Sequence, residues 1–169
     1  TNSQSLAMEE KRERWKPSQD ELRAILQAHE HWIHSDGEEG EQADLSEADL
    51  GEADLSEASL SDADLSGASL TSADLSEAVL MGANLWGATL EEANLKGSVL
   101  TNATVWGANL TDTDLREASL RNADLGGTDG LQVQALARAN ASNATLPADV
   151  AEFAGLAVVE AASQSARKL

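Results

Sequence analysis

The feature that most constrains this chain is an apolar residue that recurs every five residues. The series runs from Leu45 to Leu125 over seventeen positions without an insertion, and Val105 is its one departure from leucine. Two residues before each position stands alanine, replaced only by Ser98 and Thr113. A residue that is usually Asp, Asn, Ser or Thr separates the two. An internal repeat of this kind decides the architecture before any other property of a sequence.

A period of five fits neither an α-helix nor one long strand. Five residues advance about 140° around a helix, so the leucines would wander over every face. On a strand, an odd period would send alternate leucines to opposite sides. The pattern is satisfied if each repeat holds a short extended piece and a turn, with alanine and leucine both pointing inward. The sequence therefore predicts a solenoid.

The length of one coil follows from the outward-facing residues. Trp86 and Trp106 are 20 residues apart, and so are Val79 and Val99. Glycines keep the same interval at Gly67, Gly87, Gly107 and Gly127. A coil of 15 residues would separate both pairs, so we expect four repeats per coil and a cross-section with four faces.

The repeat Ala-(Asp/Asn/Ser/Thr)-Leu-x-x, from Ala43 to Leu125, resembles the signature of the pentapeptide-repeat family. The resemblance implies an all-β solenoid, a right-handed quadrilateral β-helix of about four coils. It implies little about function. Some members resemble duplex DNA in shape and charge and bind DNA gyrase, protecting it from inhibitors, whereas most have no assigned activity.

The ends of a solenoid need caps, because the last coil would otherwise expose apolar side chains and unpaired backbone. Ser18 and Glu21 form a capping box that predicts the start of an amphipathic helix, and after Gly130 the five-residue series resumes one residue out of phase. The expected divisions are a flexible tail (1–17), an N-terminal capping helix with its connector (18–42), regular coils (43–127), an irregular last coil (128–146) and a C-terminal helix (147–169).

Charge excludes some functions. The 169 residues include 30 acidic and 11 basic ones, a formal net charge of −19. Direct binding to nucleic acid or to anionic membranes needs a cationic surface, so we expect neither. There is no cysteine and no apolar run long enough to cross a membrane. We expect a cytoplasmic protein, with Arg167–Lys168–Leu169 either a soluble terminus or the flank of a membrane tether beyond residue 169.

No arrangement of residues predicts catalysis, a cofactor or a metal site. His29, His31 and His34 lie close together, but on a helix His29 and His31 point apart and no cysteine or spaced acid completes a metal shell. We interpret the three as a polar helix end. The evenly spaced, exposed acids form no enclosed pocket for acid–base chemistry. We therefore expect a protein that is not an enzyme.

Acidic residues concentrate on three of the four faces, and residues 43–127 contain 16 acidic and 3 basic residues. Two faces hold most of the predicted acidic surface: Asp49, Glu52, Glu91, Glu92 and Asp112 on one, and Asp54, Glu57, Asp74, Glu77, Asp114 and Glu117 on the next. Asp44, Glu47, Asp64 and Asp124 share the third face. The fourth face is neutral.

The neutral face and the corner beside it break the polar pattern of the surface. We name their apolar residues the apolar stripe: Val79, Met81, Trp86, Val99 and Trp106. Two explanations remain open. The indole rings are internal packing that lies flat on Gly87 and Gly107, or the stripe contacts a protein partner, a second copy or the terminal helices, since exposed apolar patches mark interaction sites.

The sequence favours a non-catalytic protein-interaction or scaffold module whose partner it does not name. The alternative is a DNA mimic whose acidic rod enters a basic groove such as that of gyrase. Against mimicry, the acids avoid one face, the rod is short, and acidity commonly serves solubility.

Overall fold

A computed structural model describes residues 14–151. The first helix, α1, spans Gln19–His34. A succession of parallel β-bridges then links residues from Asp44 to Thr145. A short helix, α2, spans Val133–Leu136, and residues 148–151 form the beginning of a further helical turn.

The bridges define a β-helix with 20 residues per coil. Asp44 pairs with Asp64, which pairs with Asn84, and the same step continues to Thr104 and Asp124. Three further rows of bridges begin at Asp49, Asp54 and Ser59 and follow the same register. Within each row, successive backbone N–H groups point to opposite neighbouring coils. The amide of Asp64 donates to the carbonyl of Ala43 in the coil before, and the amide of Leu65 donates to the carbonyl of Asn84 in the coil after. Each step along a row therefore spans 20 residues, the length of four pentapeptides.

The interior is filled by the repeated alanine and leucine. The core leucines from Leu45 to Leu125 and Val105 are at most 3% exposed. Ser98 and Thr113 replace alanine without leaving a buried hydroxyl unsatisfied, because they donate to the carbonyls of Leu95 and Leu90 at 2.7 and 2.8 Å. A small residue and a large one thus alternate along each inner wall and fill a narrow bore.

The polar residue between alanine and leucine shapes the turn that follows. Its side-chain oxygen accepts the backbone N–H two residues later, as Asp64 does from Ser66 at 2.9 Å and Asn84 from Trp86 at 3.2 Å. A hydrogen bond of this kind forms an Asx-turn, which favours a change of chain direction. The second residue after each leucine then takes a positive φ, and each repeat turns a corner there.

Helix α1 lies against the first coil. Its capping box is present: Ser18 accepts the amide of Glu21 at 3.2 Å, and the Glu21 carboxylate accepts that of Ser18 at 2.7 Å. Leu22, Ile25 and Leu26 pack against the core. The interpretation of His29 as part of a polar helix end is wrong, because His29 is fully buried in this contact while His31 and His34 are exposed.

Residues 14–17, which we assigned to a flexible tail, lie on the first coil. The carbonyl of Trp15 accepts the amide of Asp49 at 2.8 Å, where an earlier coil would otherwise supply the acceptor. Arg14 donates to the carbonyl of Gly67, and Lys16 lies 3.6 Å from the Asp49 carboxylate. The tail boundary at residue 17 is therefore placed too late, and the rest of the predicted tail, 1–13, lies outside the described residues.

The last coil contains one extra residue. Ser119 pairs with Asn140 and Asp124 with Thr145, a register of 21. On the Asp114 side, α2 occupies the position of the next bridge, a helix that the repeat did not predict. Residues 148–151 are helical and Val150 is buried. The rest of the segment predicted as a C-terminal helix, 152–169, lies outside the described residues.

Candidate interaction surface

The stacked indoles of Trp86 and Trp106 are the most prominent apolar feature of the surface. Each follows a core residue, Leu85 or Val105, so its side chain points outward. The rings are parallel within 7°, with centroids 6.2 Å apart. Trp86 is 53% exposed and Trp106 46%. The coil repeat thus places two large apolar rings one above the other in contact with solvent.

The backbone of both tryptophans is held in the ladder between coils. The carbonyl of Trp86 accepts the amide of Gly67 at 2.8 Å, and that of Trp106 accepts the amide of Gly87 at 3.0 Å. Both backbone carbonyls are therefore occupied, and the indole side chains extend from the ladder toward solvent. This arrangement presents the indoles from a rigid element, which lowers the entropy that a partner must overcome.

Trp106 lies against two glycines of the following coil, Gly126 and Gly127. A Cβ added to Gly107 would meet no atom within 4 Å among residues other than its chain neighbours, so the Trp86 ring does not cover Gly107. A Cβ added to Gly126 or Gly127 would lie 2.8 or 3.3 Å from atoms of the Trp106 indole. The Trp106 ring does not cover Gly87 either, since a Cβ added there also meets no atom within 4 Å beyond its chain neighbours. Trp106 packs on the following coil, and Trp86 packs on Trp106.

The remaining stripe residues lie on the neighbouring face. Val79 and Val99 are bridged to each other and half-buried. Met81 follows the core residue Leu80 and is 44% exposed. The stripe therefore consists of two separate pairs, stacked tryptophans and bridged valines, with Met81 next to the valine row.

Asp64 and Asp124, which the sequence assigned only to an acidic face, stand in the coils before and after the tryptophan pair. The residues before and after the pair in the same column of coils are Ser66 and Gly126. Asp64 accepts the amide of Ser66 at 2.9 Å, and Asp124 accepts that of Gly126 at 3.0 Å. The 20-residue register could have predicted this position, because it aligns Asp64 and Asp124 in one row with the neutral Asn84 and Thr104 between them.

The acidic surface residues fall into two structural types. One type pairs its backbone in the bridges and caps a turn with its side chain: Asp49, Asp54, Asp74 and Asp114. The other occupies the positive-φ turn position: Glu52, Glu57, Glu77, Glu92, Asp112 and Glu117. Glu91 precedes that turn position and is half-buried. Most of the acids therefore lie at the corners and rims of the faces.

Some of this charge is balanced within the chain. Arg116 lies 2.5 Å from Asp114, and Lys96 lies 4.0 Å from Glu117. The hydrogen bond from Arg116 lowers the pKa of the Asp114 carboxyl, and the nearby Lys96 charge adds to this. Hydrogen bonds from the hydroxyl and amide of Ser56 lower the pKa of Asp54. The negative charge of the face that holds Asp54 is therefore partly neutralised by Arg116 and Lys96.

An open groove of about 510 Å³ lies between the start of α1 and the first coil. Leu22, Leu26 and Ala53 contribute apolar lining, and Lys16 and Asp49 lie at its rim. Within the described residues, no cluster of three or more His, Asp or Glu side chains has the geometry to hold a metal ion. The same part of the chain contains no helix with the length and apolarity needed to cross a membrane.

Coils of four pentapeptides, stacked in parallel around an Ala/Leu core, define a pentapeptide-repeat β-helix. The family model described as pentapeptide repeats matches in overlapping segments, 43–80, 58–97, 78–116 and 93–129, with eight copies. The chain belongs to this family.

Solved structures agree with the fold. The pentapeptide-repeat protein alr5209 from Nostoc PCC 7120 is 24% identical, with 80% of this chain and 99% of that chain covered and a TM-score of 0.57. At this identity the likeness shows the fold alone. Comparison with curated proteins gave no match.

Two further solved structures superpose less well. Rfr23 from the cyanobacterium Cyanothece 51142 is 31% identical over 53% of this chain and 60% of that one, with a TM-score of 0.36. QnrB1, a plasmid-mediated fluoroquinolone resistance protein, is 18% identical over 70% and 73%, with a TM-score of 0.47. These scores carry no inference about function.

Proposed function

We propose that this chain is a non-catalytic protein-interaction module whose binding surface is the apolar stripe. One observation carries the proposal: Trp86 and Trp106 stack on each other at the surface and remain about half exposed. Tryptophan is enriched among the residues that dominate binding energy at protein interfaces. A partner that covers both rings would bury apolar area that folding leaves in water.

The acidic groups support a binding role over acid–base catalysis. A general acid that works near neutral pH needs a raised carboxyl pKa. Hydrogen bonds instead lower the pKa of Asp44, mainly from the hydroxyl of Ser46, and that of Asp114, mainly from Arg116. These carboxylates stay ionised and act as fixed negative charge.

Mimicry of DNA is a weaker alternative, because a mimic needs continuous negative charge along the rod. On the face that carries Asp54 and Asp74, the next residue in the row is the neutral Asn94. Arg116 pairs with Asp114 one coil further on. The charge on this face therefore alternates with neutral and compensated positions.

The proposal extends to the architecture that presents the stripe. We infer that the coil is right-handed and that helices close both ends, the first by the packing of Leu22, Ile25 and Leu26 on the core and the second by the turn that buries Val150. The cytoplasmic location expected from the sequence remains a prediction.

Capture from a lysate of the source cells tests the function. The bait is the full chain, compared with a variant that combines Trp86→Ser and Trp106→Ser. Serine occupies the same column at Ser46 and Ser66, so the substitution suits the turn. Trp15→Ser is the matched control, since Trp15 is also 46% exposed.

The proposal expects a protein that binds the wild type and the control in a saturable manner and is lost with the double variant. Equal capture by all three baits would show that the stripe is not the binding surface.

A further inference from the structure

We propose that the tryptophan pair binds an extended peptide segment of a partner protein that carries two arginines four residues apart. The inference rests on the proposed function and adds the chemistry of the partner. It follows from two carboxylates that the coil register places before and after the tryptophan pair, Asp64 one coil before and Asp124 one coil after, which we name the flanking carboxylates.

Turn hydrogen bonds fix both flanking carboxylates, and Asp124 lies beside the Trp106 indole. Oδ1 of Asp124 lies 3.1 Å from the point where a Cβ on Gly126 would stand, and Cδ1 of Trp106 lies 2.8 Å from the same point. Oδ1 of Asp64 is held by the amide of Ser66 and by Nδ2 of Asn84 at 3.2 Å. Both carboxylates thus have a position set by the turn.

Each flanking carboxylate keeps binding capacity. Among residues 14–151, neither Asp64 nor Asp124 forms an ion pair, and the hydrogen bonds of both use only Oδ1. Both side chains are half-buried, so their charge is screened less than that of a fully exposed acid. Each therefore offers a partly desolvated negative charge to an incoming cation.

Arginine fits this combination better than other side chains. Its planar guanidinium stacks on an indole and also bonds carboxylates in a forked geometry. Tryptophan is the strongest aromatic partner of cations. The neutral Asn84 and Thr104 between the flanking carboxylates place the aromatic surface in the middle and one negative charge at each end.

The coil register sets the spacing. Asp64 and Asp124 are three bridges apart in one row, which corresponds to about 14 Å at the usual distance between paired strands. An extended chain rises about 3.3 Å per residue, so two cations four residues apart match this distance. The residues between them would lie along the indoles.

A second copy of this chain is a poorer occupant. It brings the same net charge of −19 and would set acidic rims against acidic rims. Like charges placed opposite one another in an interface oppose association. A cationic segment gains from the same field, which also accelerates its encounter with the surface.

The test uses capped pentapeptides and the full ¹⁵N-labelled chain. The probe is Arg-Gly-Ser-Gly-Arg, and the control peptide, Arg-Arg-Gly-Ser-Gly, has the same composition with adjacent arginines. Indole Nε1–H signals, assigned with single Trp→Ser variants, report binding at Trp86 and Trp106 separately from Trp15 and Trp32. We expect the spaced peptide to shift the Trp86 and Trp106 signals at lower concentration than the control peptide.

Protein variants separate the site from general attraction. Asp64→Asn and Asp124→Asn should each raise the half-saturating concentration about two- to fivefold, the usual weight of a partly exposed ion pair. Asp74→Asn is the matched control, because Asp74 also accepts a side-chain amide, that of Asn94 at 3.0 Å, on another face. Asparagine occupies this repeat position at Asn84, Asn94 and Asn109, so the variants suit the fold.

Equal binding of the two peptides, or an equal effect of Asp74→Asn, would overturn the inference, as would the absence of any shift. If the peptide fails while lysate capture still depends on Trp86 and Trp106, only the cationic occupant is wrong. If capture is also independent of the two tryptophans, the proposed function fails as well.

Discussion

Nδ1 of His29 accepts a hydrogen bond from the backbone N–H of Ala43 at 3.0 Å. The bond joins α1 to the first residue of the core. A nitrogen that accepts a hydrogen bond carries no proton, so the imidazole must be neutral in the folded chain. The ring stacks on Trp32 at a centroid distance of 5.6 Å, and among the described residues its Nε2 has no hydrogen-bond partner.

This contact predicts that acid loosens the N-terminal end. Burial lowers the pKa of His29, with the Ser61 backbone and the negative charge of Asp62 acting in the opposite direction. Because the unfolded chain binds the proton more readily, stability is complete above the ordinary imidazole pKa of about 6.5 and is lost as pH falls below it. Urea unfolding followed by circular dichroism at about pH 7.5 and about pH 5.5 brackets this change.

The variant that tests this explanation is His29→Asn, whose amide oxygen can accept a hydrogen bond from the Ala43 amide at any pH. We expect it to be less stable than the wild type but to lose less stability between the two pH values. His31→Asn, on the exposed side of the same helix, should keep the wild-type pH dependence. An unchanged pH dependence in His29→Asn would exclude His29 as its cause.

Substitution of Leu85 tests the Ala/Leu core. The side chain is 0% exposed, so Leu85→Asp places a charge where neither water nor a partner is available and should prevent folding. Leu85→Ala should lower the free energy of unfolding by about 2–5 kcal/mol. Chemical denaturation provides the measurement, and a Leu85→Asp chain that unfolds cooperatively would show that the leucines do not line the interior.

Stacked acids predict a response to salt. Asp44 is paired with Asp64, and Asp54 with Asp74, so like charges face each other at about 4.8 Å between strands. Screening weakens this repulsion, and the melting temperature should rise from low to physiological ionic strength. A chain with Asp64→Asn and Asp74→Asn should respond less. A melting temperature that is flat or falls with salt would mean that the repulsion is insignificant.

Alanine substitutions at Gly130 and Gly87 separate the effect of limited space from the effect of a positive φ. Both have positive φ, +71° and +63°, which a side chain disfavours. A Cβ at Gly130 would also lie 2.6 Å from backbone atoms of Thr111, whereas a Cβ at Gly87 meets no atom within 4 Å beyond its chain neighbours. Gly130→Ala should therefore lower the free energy of unfolding by clearly more than the roughly 1–2 kcal/mol expected for Gly87→Ala. Equal unfolding free energies of the two variants would contradict the close approach at the last coil.

The repeat predicted most of the fold because its constraint is periodic. Sixteen leucines and Val105 in register determine which residues point inward, and the interval between Trp86 and Trp106 determines the coil length. Parts without the repeat were less predictable. Residues 14–17 take the place of an earlier coil through the Trp15 carbonyl, and backbone acceptors leave no signature in side-chain patterns. The extra residue after Gly130 was visible in the sequence, but α2 was not, since four residues contain too little periodicity.

The candidate site followed the same division. Outward apolar residues identified the stripe, because they contrast with the polar positions around them. The packing of Trp106 on Gly126 depends on the direction in which the indole leans, which the sequence does not specify. His29 was grouped with His31 and His34, which are exposed. Its own burial depends on the contact between α1 and the first coil, which the sequence does not specify.

The most direct test of the account is the unfolding free energy of the chain with both Trp86→Ser and Trp106→Ser. If the stripe serves binding, the variant keeps a cooperative urea transition and loses no more than about 1.5 kcal/mol, the usual upper value for an aromatic pair. If the variant fails to unfold cooperatively, or loses several times that free energy, the indoles hold the fold together and the stripe is not a docking surface.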